Sequence, residues 1–409
     1  MQFFKVTSYE NTKKIVEDNL KKIISSFLVD INDSLGCMLA EDVVSFEVSP
    51  LYNRSTVDGY AVNISDVSAS TQSIPSFLKI VGNIKMGEMP KIKINKGECA
   101  YVATGALIPE GANGVVMIEH IDVLKDQLAV YSPVANNENI ILKGEEIKEG
   151  QVVAKKGDIV DPIKISIFSS LGISKVAIYD KIKIAIISTG DELVDPSEKA
   201  ENGKIRDVNT NMLKAISKKY DFDVVYSNRI KDDLETLKQE IKKASDSADV
   251  VLLSGGSSVG ARDFTNEALD NLGEILLHGI ALKPGKPTVL AKVNNKLVYG
   301  LPGNPFAAML VYKELCCDVV YNLRGYIEKP KAYAFVKTNF HSTPGRTTLQ
   351  PVSIKVEGDK VYAEPLFLKS SHLATMLKAD GYIKISADAE GVYANTLYPV
   401  YDFYPNRYL

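Results

Sequence analysis

Apolar residues recur at different spacings in successive stretches of this chain, and each spacing predicts a different kind of element. Near the start, Ile15, Val16, Leu20, Ile23, Ile24 and Phe27 fall on one face of a helix running over residues 8–28. From 45 to 134 the texture changes to short β-forming runs, "GYAVNI", "FLKIVG", "CAYVATG" and "GVVMIEHI", separated by Gly, Pro and Asn. That predicts a small β-rich unit. The stretch after it turns near Gly150 and Gly157 and carries an apolar helix ending at Gly172. We expect this segment to return to the first helix, which makes the β-rich piece an insertion.

From 181 to 324 strand and helix patterns alternate. "IKIAIIST" is continuously apolar, as a strand covered on both faces should be. A helix is expected over 210–220, then the strand "DVVYSN", the helix "LETLKQEIKKAS" and the strand "DVVLLSG". "FTNEALDNL", "EILLHGIAL", "TVLAKV" and "LVYG" continue the series, and a long helix begins at "NPFAAMLVYKELCCDVVYNL". The pattern predicts a three-layer α/β unit on a mainly parallel sheet. The last eighty residues or so alternate strand and turn signals and read as a small β-barrel or sandwich. The whole is multidomain α/β plus β. Residues 1–45 with 140–179 form a helical and extended linking unit, 46–139 the β-rich insertion, 180–327 the α/β unit and 328–409 the C-terminal β unit.

Composition narrows the function classes. The net charge, 48 − 51 = −3, gives no overall pull toward nucleic acid or an anionic membrane. An anionic ligand therefore needs a local cluster of cations. Cys37, Cys99, Cys316 and Cys317 form no CxxC pair and read as thiols in a reducing compartment, so we expect a cytoplasmic protein. No apolar run reaches the length of a membrane span.

Candidate chemistry gathers in five polar loops at predicted strand ends: "STGDEL" (188–193), "NRIKDD" (228–233), "SGGSSVGARDFT" (254–265), "LKPGKP" (282–287) and "GLPGNP" (300–305). Strand carboxyl ends of a parallel sheet share one edge, where ligands bind. The glycines and hydroxyls around Ser257 suit an anion, although no Walker pattern is present. Lys283 and Lys286 are either two charges for an oxyanion or a solvated turn. Glu192, Asp232 and Asp263 beside an anion call for a divalent cation, and magnesium fits. Asp232 and Asp263 could equally be helix N-caps. In "LPGNP", Pro302 and Pro305 fix φ, Gly303 permits close backbone approach, and Pro305 should open the long helix. A further stretch, "SPLYNRSTVDGYAV", raises Asp58 as either an Asp-Gly turn residue or a reactive carboxylate.

Taken together, "PLYNRSTVDGYAV", "VATGALIP", "ISTGDEL", "VVLLSGGSSVGARDFT", "LKPGKP" and "GLPGNP" resemble the molybdopterin molybdenumtransferase family, MoeA and the E domain of gephyrin. The resemblance covers nearly the whole chain. It implies molybdenum cofactor biosynthesis: molybdate is inserted into adenylylated molybdopterin, with magnesium-dependent release of AMP. It also implies an elongated homodimer of four-domain subunits, in which the α/β unit binds molybdopterin. The active-site cleft then joins that unit to the inserted unit of the other subunit. On this pattern Asp58 matches the essential aspartate and Thr104 the threonine of "TGA", with Glu192 a third catalytic position. Asp232 and Asp263 match acidic positions around nucleotide and metal, and Lys283, Lys286, Pro302 and Pro305 match the two loop motifs. Arg346 and Ser371 match an arginine and a serine near the oxyanion.

The chain departs from the family pattern in places. Asn53 stands where Asp is common, and Ile141 and Leu142 where arginines are common. Glu146 replaces an Asp, Gly279 stands at a basic position, and Phe306-Ala307 replaces Val-Ser. The implied partners are a second copy, other cofactor-biosynthesis proteins and recipient molybdoenzymes. The competing reading is a non-catalytic molybdopterin-binding or scaffolding protein on the same fold.

Overall fold

The computed structural model describes residues 6–255, 264–367 and 376–405. Its central feature is a six-stranded sheet in the spatial order Asp223–Ile230, Lys183–Thr189, Val250–Ser254, Lys296–Leu301, Val289–Val293, Glu274–His278. The first four strands are mutually parallel. The last two add antiparallel pairs, so the sheet is mixed where the pattern suggested mainly parallel strands. The cause is local. Asn294 and Asn295 both adopt positive φ and turn Val289–Val293 straight back into Lys296–Leu301 as a two-residue hairpin.

Alternation within buried strands produces the layers. Ile184 and Ile186 face the helix Asn209–Lys219 and the long C-terminal helix. Ala185 and Ile187 face the helices Leu234–Ser247 and Phe264–Leu272 on the other side. The long helix runs Pro305–Tyr312, opens into a π-turn at Lys313–Cys317 and resumes over Asp318–Leu323. It is buried nearly all round: Phe306–Tyr312 are apolar on every face, and the charged Lys313, Glu314 and Asp318 are buried with them.

The first helix is shorter than its spacing suggested. It spans Tyr9–Leu20 and packs on the long helix as part of the α/β core. After a tight turn at Lys21–Ile23, Ser26–Asp30 is a strand paired with Lys175–Tyr179. Phe27, expected on the helix's apolar face, is instead 50% exposed, and Leu28 is 66% exposed. The returning segment thus meets the chain one element later than expected. A second pair, Val43–Val44 with Val152–Ala154, brackets everything between as an insertion. The inserted sheet runs Gly114–Met117, Gly59–Val62, Glu98–Val102, Ser76–Ile84, Gln127–Val130, Ile121–Leu124.

In the C-terminal region Thr347–Glu357 is the longest strand. It pairs with Lys360–Pro365 and with Gly381–Ile385. Ala332–Val336 and Leu397–Val400 extend the circuit, and a Tyr382–Tyr401 bridge returns it to the strand Gly381–Ile385. One short strand, Leu282–Lys283, comes from the α/β unit and joins this sheet beside Thr347 and Thr348.

Candidate active site

Strand register aligns the five candidate loops. Ile230 pairs with Thr189, Ser188 with Ser254, Ser254 with Leu301, Gly300 with Val289, and Val289 with His278. All eight residues, from six strands, lie at one end of the sheet. The strand ends therefore deliver "STGDEL", "NRIKDD", the start of "SGGSSVG" and "GLPGNP" to a single edge. "LKPGKP" joins them, because the antiparallel strands turn there between His278 and Val289.

Hydrogen bonds tie neighbouring loops together. The Thr189 hydroxyl donates to Asp232 Oδ1, and the Gly190 N–H donates to the Ile230 carbonyl at 3.3 Å. The Asp232 N–H reaches Asp191 Oδ1 at 3.4 Å. Asp232 is not the helix cap that the sequence left open: Asp233 caps Leu234–Ser247 through the Thr236 N–H at 2.8 Å and hydroxyl at 2.7 Å. The Asp232 and Glu192 carboxylates are exposed at the edge. Only glycine fits at Gly255, where φ is +109° and an added Cβ would overlap the Thr189 carbonyl oxygen. Asn209, which the sequence reading passed over, donates to Ser254 Oγ at 2.8 Å and to the Gly303 carbonyl at 3.0 Å.

"GLPGNP" behaves partly as expected. Pro305 occupies the first helical turn, and Asn304 caps it by accepting from the Ala307 N–H at 3.2 Å. Pro302 is buried behind it. At Gly303 an added Cβ would meet nothing within 4 Å among the described residues, so no close approach on that face requires the glycine.

The cationic side of the edge is a seam between two regions. Leu282 and Lys283 pair with Thr347 and Thr348, and the Thr347 N–H donates to the Ala281 carbonyl at 2.9 Å. Arg346, the residue before Thr347, is thereby brought beside "LKPGKP". Lys283 and Lys286 are exposed and Arg346 is half-buried. Among the described residues none of the three takes part in an ion pair. Ser257, Asp263 and Ser371 lie outside the described residues.

Asp58 and Thr104 meet in the inserted sheet. The Thr104 N–H donates to Asp58 Oδ1 at 2.7 Å. Two flanking bonds fix the approach, Gly105 N–H to the Ser55 carbonyl at 2.8 Å and Ser55 N–H to the Ala106 carbonyl at 2.9 Å. The Asp-Gly step is not a hairpin turn. Gly59 begins a strand held between Glu98–Val102 and Gly114–Met117, and an added Cβ would overlap the Val116 carbonyl oxygen. Glycine is required by close packing, and the exposed Asp58 carboxylate stands at the strand's mouth. No hydrophobic cluster of the described residues joins this sheet to the α/β sheet. Among the described residues no side-chain hydrogen bond or ion pair links Asp58 or Thr104 to the strand-end loops; the Asp58 carboxylate accepts from the Thr104 N–H.

Among the described residues no three His, Cys, Asp or Glu side chains gather as a protein-only metal cage. Glu192 and Asp232 on adjoining loops supply two hard oxygen donors. That number suits magnesium, which keeps waters and phosphate oxygens in its shell rather than a full set of protein ligands. A cavity of about 960 Å³ lies along Asp223–Ser227 and the helix Asn209–Lys219 and is lined by none of the five loops' residues. Loop chemistry rather than cavity size marks the site.

Comparisons with known proteins cover these same regions. The MoeA N-terminal region (domain I and II) matches residues 7–172, a probable molybdopterin binding domain matches 185–321, and the MoeA C-terminal region (domain IV) matches 333–403. A putative molybdopterin biosynthesis protein of Methanocaldococcus jannaschii is 34% identical over 96% of this chain and 95% of its own. A molybdopterin molybdenumtransferase of Haemophilus influenzae is 30% identical over 90% and 91%. The crystal structure of a molybdopterin biosynthesis MoeA protein from Pyrococcus horikoshii superposes with a TM-score of 0.84 at 32% identity, covering 98% of this chain and all of that one.

Proposed function

The chain belongs to the molybdopterin molybdenumtransferase (MoeA) family, and from that premise we propose that it inserts molybdenum into molybdopterin during molybdenum cofactor biosynthesis. The substrates are adenylylated molybdopterin and molybdate. Water cleaves the phosphoanhydride, and AMP leaves as the metal is taken by the dithiolene.

The observation that carries this reading is the seam: three cations, Lys283, Lys286 and Arg346, with no acidic partner among the described residues, gathered where strand ends converge. Unpaired cations on a protein-built turn suit an oxyanion, here molybdate or the anhydride phosphates. Glu192 and Asp232, with Asp263, would hold magnesium, which supplies positive charge to the phosphate oxygens. Thr189 orients Asp232 through its hydroxyl. Pro302 and Pro305 stiffen the loop facing the ligand, and Ser257 and Ser371 complete the substrate contacts.

Asp58, oriented by the Thr104 N–H, acts from the inserted unit of a second copy. Two features support a homodimer: among the described residues nothing ties Asp58 to the strand-end loops of its own chain, and Phe27, Leu28, Leu35, Val44 and Ile163 leave apolar surface exposed on the linking unit. The pairing circuit supports reading the last residues as a small barrel, in a four-unit chain divided near 45, 139, 179 and 327. Cytoplasmic placement rests on four free cysteines, and no helix of the described residues is long and apolar enough to cross a membrane.

The test is AMP release from adenylylated molybdopterin by purified protein with molybdate and magnesium. Release that depends on both is expected. Binding of the substrate without release would leave the scaffolding reading in its place.

A further inference from the structure

Buried polar atoms without partners are rare, and each one asks for an explanation. Four of them belong to elements around the strand-end edge: Ser188 Oγ, Asn209 Oδ1, Thr210 Oγ1 and Thr265 Oγ1. Ser188 is the last residue but one of the strand Lys183–Thr189, Asn209 and Thr210 open one helix, and Thr265 lies in the first turn of another. None is a charged group. The unpaired cations lie at the other side, on "LKPGKP" and Arg346. The unpartnered buried atoms thus lie on the other side of the edge from these cations, on the side that also carries Glu192 and Asp232.

Asn209 is the most constrained of these four residues. It is only 8% exposed, and its amide nitrogen is occupied by Ser254 Oγ at 2.8 Å and the Gly303 carbonyl at 3.0 Å. These two bonds set which end of the amide is the nitrogen and leave Oδ1 as an acceptor with no donor. An unprotonated phosphate or molybdate oxygen has no hydrogen to offer it. An amino group, a ring N–H or a sugar hydroxyl does.

We infer that Asn209 is a specificity-determining binding residue: its Oδ1 accepts a hydrogen bond from a neutral N–H or O–H of the organic part of the substrate, while its Nδ2 holds two adjacent loops. The inference rests on the family reading for the choice of ligands. Two parts of the substrate carry such donors, the adenosine and the pterin, and the experiment separates them.

Binding of AMP, molybdopterin and molybdate is measured by calorimetry on wild type, Asn209→Ala and Ser254→Ala. One neutral hydrogen bond corresponds to about three- to tenfold in affinity. The expected result is a loss of that size, on Asn209→Ala, for either AMP or molybdopterin alone, with molybdate unchanged. The ligand that weakens identifies the source of the donor. Ser254→Ala removes one loop tie and leaves Oδ1 in place, so it should not reproduce the selective loss. Unchanged binding of both organic ligands overturns the inference, as does a parallel loss of all three. If Asn209→Ala does not fold, Asn209→Ser gives the same reading. Because no turnover is required, a wild type that binds these ligands and releases no AMP would defeat the catalytic proposal and leave this one standing.

Discussion

Two clusters of charge in this molecule look alike in sequence and are opposite in structure. One is the joint between the long helix and the C-terminal sheet. There Lys313, fully buried, is bonded to Asp318 and Glu328 at 2.7 Å each, and Lys384 reaches Glu314 at 3.0 Å. Tyr9 and Tyr382 both donate to Glu314, and Tyr220 donates to Asp318 at 2.6 Å. The other cluster is the strand-end edge, where Lys283, Lys286, Glu192 and Asp232 are exposed and the lysines have no ion-pair partner among the described residues. The joint satisfies its charges within the chain. The edge leaves its charges available. Burial with full pairing marks structure, and assembled charge without pairing marks a place for a ligand.

Predictions follow from pressing on either side of this contrast. Lys313→Met leaves the buried Asp318 carboxylate without its cation, while Glu328 keeps Lys384, and should cost about 3–5 kcal/mol of stability. Urea unfolding reads this, and a loss below about 1 kcal/mol would show the joint is wetter or looser than described. Lys286→Ala should do the reverse. Stability is expected to stay within about 0.5 kcal/mol, as for an exposed position, while turnover at fixed molybdate falls about ten- to a hundredfold, the range of a lost charge-assisted bond. Gly255→Ala sits between the two. Its positive φ and the Thr189 carbonyl should make it about 1–3 kcal/mol less stable, with reduced ligand binding measured on the folded fraction.

Acid should act on the joint. Burial alone would raise the Glu314 carboxyl, but the Lys313 and Lys384 charges and the two tyrosine hydroxyls outweigh it and hold it at about 2, below its usual 4.5. A lowered carboxyl contributes stability that is complete above its unfolded value and is lost as pH falls toward its folded one. The melting temperature should therefore include a decline between pH 4.5 and 2 that Glu314→Gln reduces. With no tryptophan and twenty tyrosines, tyrosine emission is the natural optical probe.

Much of this arrangement was legible in the chain. The buried strand "IKIAIIST", the alternating α/β pattern and the five polar loops needed only periodicity and turn chemistry, because strand ends in such a sheet converge for topological reasons. Residue-level detail was less accessible. The capping role fell to Asp233 rather than Asp232, a choice that adjacent carboxylates do not reveal. Gly59 answers a neighbouring strand's carbonyl, while no close approach among the described residues requires Gly303, so one residue type does not carry one cause. The first helix ended at Leu20 because the β-forming residues after it found the strand Lys175–Tyr179, a partner about 150 residues away. Asn209 gave little signal, since an asparagine near a helix start ordinarily reads as a cap. Its contacts with Ser254 and Gly303 exist only once three loops are assembled.

The central claim is that the strand-end edge of one copy works with Asp58 of another on adenylylated molybdopterin. Mixed dimers test it most directly. Asp58→Asn and Lys286→Ala are each expected to be impaired alone, Lys286→Ala by about ten- to a hundredfold, because every site lacks one component. Unfolded and refolded together, they should regain AMP release, since a mixed dimer contains one site with both native residues. No regain from a mixture shown to be folded and to contain mixed dimers would contradict the account.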